Sequence, residues 1–173
     1  MKAPLISEVL SIKPGQTFCV ALRLVMDKHW HTYWKNPGDS GLPTKIKRDL
    51  PDGFVPGDIQ WPYPQRFELP ELVNFGYEGE VFLITEIVAP KTLASGSRVK
   101  VATSVDWLAC KEGCIPGHAD LRIELPVKAE HPKINKRWAN HFKKTRMNLP
   151  KIPSDWKINA FMNEDKIFIE MSP

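Results

Sequence analysis

The stretch Thr17–Met26, TFCVALRLVM, alternates without interruption. Phe18, Val20, Leu22, Leu24 and Met26 fall on one side, and Cys19, Ala21, Arg23 and Val25 on the other. A period of two marks a β-strand, because successive side chains of an extended chain point to opposite faces. The same texture recurs outward from it. VFLITEIVA (Val81–Ala89) and SRVKVATSVDWLA (Ser97–Ala109) are β-rich runs bounded by turn residues, and ADLRIELPV turns Leu121, Ile123 and Leu125 inward. LISEVLSI and HWHTYW are weaker strand candidates. Between the runs lie KPGQ, NPGDSG, LPDG and ASGS, which are turn punctuation. Several short strands without alternating helices predict a mainly β domain, an antiparallel β-sandwich rather than a parallel sheet.

One segment breaks the pattern. HPKINKRWANHFKKTRMNLP spaces Ile134, Trp138 and Phe142 four apart, one face of an amphipathic helix, with Pro132 suited to its first turn and Pro150 past its end. It carries Lys133, Lys136, Arg137, Lys143, Lys144 and Arg146 and no acid. A solvated outer face is the plain reading, and contact with an anionic membrane surface or an acidic partner the sharper one. WKINAF and KIFIEM, around MNED, read as a trailing hairpin. The expected division is 1–130 for the sandwich, 131–149 for the helix and 150–173 for trailing strands that open a second module, with the boundary near Pro150 to Ser154.

Composition narrows the function classes. A content of 42% hydrophobic and 25% charged residues over 173 positions describes a folded globular chain. A net charge of +4 is too mild to imply nucleic acid, and no nucleic-acid-binding motif is present. No apolar run approaches the roughly 18 residues a membrane helix needs, and the N-terminus lacks the apolar stretch of a signal peptide. The ending IFIEMSP, just after a strand-like run, reads as a fragment of something longer. NPGDSG reads as a turn, since no GK[ST] follows it.

Chemistry concentrates in WLACKEGCIPGH. Three cysteines leave one without an internal partner, and the spacing makes Cys19 the odd one, an inert thiol in its strand. Cys110 and Cys114 are open to three roles. A staple across so short a loop contributes about 2 kcal/mol at most. A copper or zinc site has Cys110, Cys114 and His118 as ligands, with His29 or His31 as a fourth, but lacks the second short-spaced pair of structural zinc. Redox chemistry needs two neighbouring thiols, one of them accessible. Proximity is met at a strand-to-strand turn, and a short strained loop makes a bridge more easily reduced. A thioredoxin fold is not expected, because CxxxC is not CxxC and no βαβ pattern surrounds it.

Four blocks in order, HTYWKNPGDSGLPTKI, IQWPYPQRF, NFGYEGEVFL and WLACKEGCIPGHADLRIELP, resemble the N-terminal periplasmic domain of DsbD-type thiol:disulfide interchange proteins, the ScsB-like branch above all. The likeness spans Pro4 to Val127. It implies an immunoglobulin-like sandwich in the periplasm, within an inner-membrane protein. Such a domain is a thiol:disulfide oxidoreductase, a protein-disulfide reductase. It takes electrons from the membrane-embedded part of its own polypeptide and passes them to soluble periplasmic thioredoxin-like proteins. No cofactor and no small-molecule substrate are implied. Carried over by position, Cys110 and Cys114 are the redox pair, with Cys114 forming the mixed disulfide and Cys110 resolving it. The resemblance also implies an aromatic cap over the pair, with Phe75 the first candidate and Tyr77 the second. Tyr33, Trp107 and His118 are the expected pocket-lining residues. The ScsB-like branch is linked to copper tolerance, which keeps the metal alternative in view.

Overall fold

A computed structural model describes residues 1–69, 71–151 and 156–172. Two antiparallel sheets face each other. The first runs β1 (Leu5–Ser7), β2 (Thr17–Val25), β8 (Glu80–Val88) and β5 (Val55–Gln60). The second runs β10 (Cys114–Pro126), β9 (Arg98–Cys110), β3 (His31–Gly38), β7 (Leu72–Glu78) and β6 (Gln65–Leu69), with β4 (Lys45–Asp49) also paired to β9. The fold is the expected immunoglobulin-like β-sandwich.

The alternation of Thr17–Met26 explains how the layers stack. Phe18, Val20, Leu22, Leu24 and Met26 point between the sheets, where they join Val99, Val101, Val105 and Leu125 of the second sheet. Cys19 and Ala21 point the other way, yet they too are buried, with Ile6, Phe82 and Ile84. The cover on that side is the helix α1 (Ala139–Met147), whose Phe142 is fully buried against the sheet. Burying one such aromatic stabilises by about 1.5–3 kcal/mol, which fixes the helix to the outer face of β2 and β8.

The helix is shorter than the expected 131–149. Ile134 lies outside it, in an isolated bridge to Val9, and is 51% exposed. The physical reason is local: Leu10 N–H donates to the Lys133 carbonyl and Asn135 N–H to the Glu8 carbonyl, which holds the segment extended. The basic face is also not wholly solvated. Arg146 makes a two-pronged ion pair with Glu8, and Arg23 and Arg137 lie over the Trp138 ring.

The trailing hairpin is present as β11 (Lys157–Asn163) and β12 (Lys166–Ser172), with Phe161 stacked on Phe168 at 5.6 Å. The expected boundary at Pro150 to Ser154 falls largely on residues outside the described ones.

Candidate redox site

β9 and β10 form one long hairpin, and the two cysteines close its tip. Cys110 and Cys114 are register partners, bonded as a disulfide with S–S 2.05 Å. Only Lys111, Glu112 and Gly113 lie between them. The two sulfurs have different surroundings: Cys110 is 3% exposed, whereas Cys114 is exposed. Cys19 is the free cysteine, buried beside the Arg146 guanidinium at 3.3 Å. Burial, with Glu8 nearby, pushes its thiol up to about 11, so it stays protonated and inert.

Tyr33 is brought to the pair. It is 3% exposed, its hydroxyl donates to Cys110 Sγ at 3.1 Å, and the same oxygen lies 3.9 Å from Cys114 Sγ. The segment after β3 holds the ring there. Asp39 N–H donates to the Val73 carbonyl, and the Asp39 carboxylate accepts from Val73 N–H at 2.7 Å. The Ser40 N–H and hydroxyl both donate to the side-chain carbonyl of Asn74, a fully buried residue. Gly41, at φ +89°, then passes over the ring so closely that an added Cβ would lie 2.2 Å from Tyr33 Cε1. NPGDSG, expected as a turn, is thus the end of β3 (residues 36–38) followed by a strap, residues 39–41, pinned to β7. Asp39 bonds across to that strand, where an Asx-type turn would have bonded within its own segment.

The pleat decides which other residues can reach the sulfurs. His31 is the register partner of Cys110 on one side and of Glu78 on the other. Gly76 is opposite Tyr33, and Phe67 is opposite Asn74. Directly opposed residues share a face, so His31, Tyr33, Phe67 and Cys110 lie on one face. The rings confirm the grouping, with His31 stacked on Phe67 at 4.6 Å and edge-on to Tyr33 at 5.4 Å.

Phe75 and Tyr77 alternate onto the opposite face of β7 from Gly76. Tyr77 belongs to the core between the sheets, 5% exposed, with its hydroxyl donating to the Pro62 carbonyl at 2.8 Å. Neither is brought over the disulfide. The phenyl ring on the cysteine face, beside His31 and Tyr33, is instead Phe67, on the neighbouring strand of the same hairpin.

Trp107 also points away from the sulfurs. It packs into the core cluster and against Gly117, where an added Cβ would lie 2.2 Å from its indole. With Trp30, Ala109, Ile115 and Pro116 it lines a cavity of about 310 Å³ under the hairpin tip. His118 shares the sulfur face but lies four residues from Cys114, roughly 13 Å along a strand. Its Nδ1 is 2.8 Å from the Asp106 carboxylate and its Nε2 3.6 Å from Asp120. The hydrogen bond to Asp106 raises its pKa. His118 is thus engaged with carboxylates, away from the disulfide. Among the described residues no cluster of three or more His, Cys, Asp or Glu side chains is arranged to hold a metal.

His31, Phe67 and the Asn74-anchored strap were not singled out for exchange chemistry from the sequence. The signal for His31 was present, since alternation in HWHTYW puts it on the same face as Tyr33. Phe67 carried none, because its strand becomes visible only through pairing with β7.

Comparison with known proteins places the chain by family and fold. The model for "Thiol:disulfide interchange protein DsbD, N-terminal" matches residues 6–126. The crystal structure of the N-terminal periplasmic domain of ScsB from Proteus mirabilis superposes with a TM-score of 0.68 at 14% identity. The match covers 96% of this chain and 62% of that chain, so this chain spans less than two thirds of that structure, and the likeness speaks for the fold. The periplasmic chaperone SfaE aligns at a TM-score of 0.30 and 12% identity, over 79% of this chain and 62% of that one, too loosely to bear on the argument. No curated protein matches significantly in sequence. With 121 of its 173 positions (6 to 126 inclusive) under one family model and a cysteine pair closing the long hairpin, the chain belongs to the DsbD N-terminal domain family.

Proposed function

We propose that this domain is a periplasmic disulfide reductase module working by dithiol–disulfide exchange through Cys110 and Cys114. It receives reducing equivalents from a membrane-embedded part of its own polypeptide and passes them to soluble thioredoxin-like proteins. The observation that carries the reading is the asymmetry of the pair. Cys114 is exposed, and Cys110 is buried with its sulfur bonded by the Tyr33 hydroxyl.

The steps follow from that asymmetry. In the reduced domain the Cys114 thiolate attacks one sulfur of the partner's disulfide. A mixed disulfide forms, and the partner's other sulfur leaves as thiolate. Cys110, deprotonated, then attacks Cys114 Sγ, expels the partner's second thiolate and closes the bridge seen here. Two thiols are oxidised and one disulfide is reduced. Recharging runs in reverse: an incoming thiolate attacks the accessible Cys114 Sγ, and Cys110 is the leaving group. A leaving thiolate in a buried site needs a hydrogen-bond donor, and Tyr33 is already in place.

The trailing hairpin supports a second module after the boundary. β11 and β12 are exposed on both faces, with Ile158, Phe161, Ile167 and Ile169 among the exposed apolar residues. A two-stranded ribbon of this kind is marginal by itself in water.

The test is to trap the intermediate. Cys110→Ser should accumulate a mixed disulfide with a purified thioredoxin-like domain through Cys114, and Cys114→Ser should not. If neither variant yields the adduct, exchange by this pair is lost as a function.

A further inference from the structure

The exchange leaves one proton without an acceptor. The reduced domain carries two thiol protons, and both must go for the bridge to close. Cys114 is exposed and can give its proton to solvent. Cys110 is 3% exposed, so water is not a ready acceptor there. Tyr33 cannot serve as the base. Its hydroxyl is a donor to that very sulfur, and burial raises its pKa.

His31 stands directly across the strand pair from Cys110 and on the same face. Side chains so opposed have Cβ atoms about 4.5–5.5 Å apart. The imidazole is clamped between Phe67, stacked at 4.6 Å, and Tyr33, edge-on at 5.4 Å. Its Nε2 is buried and has no hydrogen-bond partner among the described residues. A ring held only for packing could be a phenyl and avoid that orphaned nitrogen. An unpartnered nitrogen on the cysteine face, one strand across from Cys110, can instead receive a proton once the sulfurs are thiols.

We propose that His31 takes up the Cys110 proton as the bridge closes and returns it when the bridge is reduced. This rests on the exchange reading above. As Cys110 S–H loses its proton to His31, its sulfur attacks Cys114 Sγ, the bond to the partner sulfur breaks, and the partner leaves as thiolate. The imidazolium then releases its proton to solvent, and in the reverse direction the ring takes a proton from solvent and passes it to the Cys110 thiolate as that sulfur leaves. No oxidant is needed beyond the partner's disulfide.

The groups around the ring agree with this role. On β7, Glu78 faces His31 and also accepts the His29 N–H at 3.2 Å. On β9 the facing group is Cys110, and on β3 itself it is Tyr33. On β6, Phe67 covers the ring, and the Arg66–Glu68 ion pair alternates to the opposite face. From the strap, Asp39 is committed to Val73 N–H. Burial lowers the His31 pKa and Glu78 partly opposes this, so the ring is neutral and able to accept at pH 7. Glu78 is then the anion that meets the transient imidazolium.

The test uses the full chain, reduced, with dithiobis(nitrobenzoate) as the disulfide. Attack by Cys114 releases one coloured thiolate, and closure by Cys110 releases a second. The second phase should slow below the His31 pKa in the wild type. In both His31→Gln and His31→Phe the first phase should be unchanged. The second should slow by about tenfold or more at neutral pH and lose its acid inflection. His31→Phe keeps the stack on Phe67, so a packing role would leave its pH profile intact. Wild-type rate and inflection in either folded variant would overturn the assignment. A wild-type protein that releases only one thiolate would sink the exchange reading itself, which is a different result.

Discussion

The Tyr33 hydroxyl lies 3.1 Å from Cys110 Sγ and 3.9 Å from Cys114 Sγ, donating to the buried sulfur of the pair. One donor therefore separates the two cysteines chemically. In the proposed exchange the bonded sulfur is the leaving group and the exposed one the point of attack. Hydrogen bonds to charged groups contribute about 1.5–3 kcal/mol. Tyr33→Phe should accordingly slow reduction of the disulfide by a small thiol at least about tenfold, since about 1.4 kcal/mol is a factor of ten. Stopped-flow reduction with dithiothreitol measures this, and an unchanged rate would remove Tyr33 from the mechanism.

The strap predicts a second effect at a distance from the sulfurs. Gly41 has φ +89° and no room for a Cβ against the Tyr33 ring. Gly41→Ala should destabilise by more than about 1 kcal/mol, measured by urea unfolding. It should also slow disulfide reduction in the direction of Tyr33→Phe, because the ring has to move. The double variant with Tyr33→Phe should be no slower than Tyr33→Phe alone.

Much of the fold was legible because its strands alternate between water and core. Thr17–Met26 and Ser97–Ala109 declared themselves by period, and Cys110 and Cys114 by lying between two such runs. What stayed hidden depends on pairing. β4 to β7 are short, carry Pro56 and Gly57, or hold charged and apolar residues without a clear period, and only partner strands make them strands. The expected cap candidates Phe75 and Tyr77 lie within strand β7. They were candidates through the resemblance, and the alternation of β7 turns them to the face opposite Gly76 and the sulfurs. The helix was visible by its spacing. Its true start was not, because the bonds holding 133–135 extended come from Glu8 and Leu10, far away in sequence.

His31 predicts a pH-dependent stability whose sign is fixed by its lowered pKa. Between the folded value and the ordinary value of 6.5, the unfolded chain binds a proton that the folded one does not. Stability should therefore fall as pH drops through 6.5 and flatten below the folded value. Urea titrations across that range, on wild type and His31→Gln, should show the acid limb reduced in the variant. An identical limb would mean that other groups cause it.

The helix can be tested apart from the chemistry. Phe142 is fully buried beneath α1. Phe142→Ala should cost about 3–5 kcal/mol, read from the urea midpoint. Exchange rates per folded molecule should remain at the wild-type level, because the helix lies on the sheet opposite the one that carries the disulfide.

The most direct measurement counts reactive thiols on the native protein by alkylation and mass. As isolated and oxidised, no thiol should react, since Cys110 and Cys114 are bridged and Cys19 is buried with its pKa near 11. After mild reduction, Cys110 and Cys114 should both react, Cys114 first, with Cys19 joining only in denaturant. Adding an oxidised thioredoxin-like protein should return the count to none and leave that protein reduced. A bridge that survives mild reductants, or a reduced pair that never oxidises against such a partner, would contradict the account.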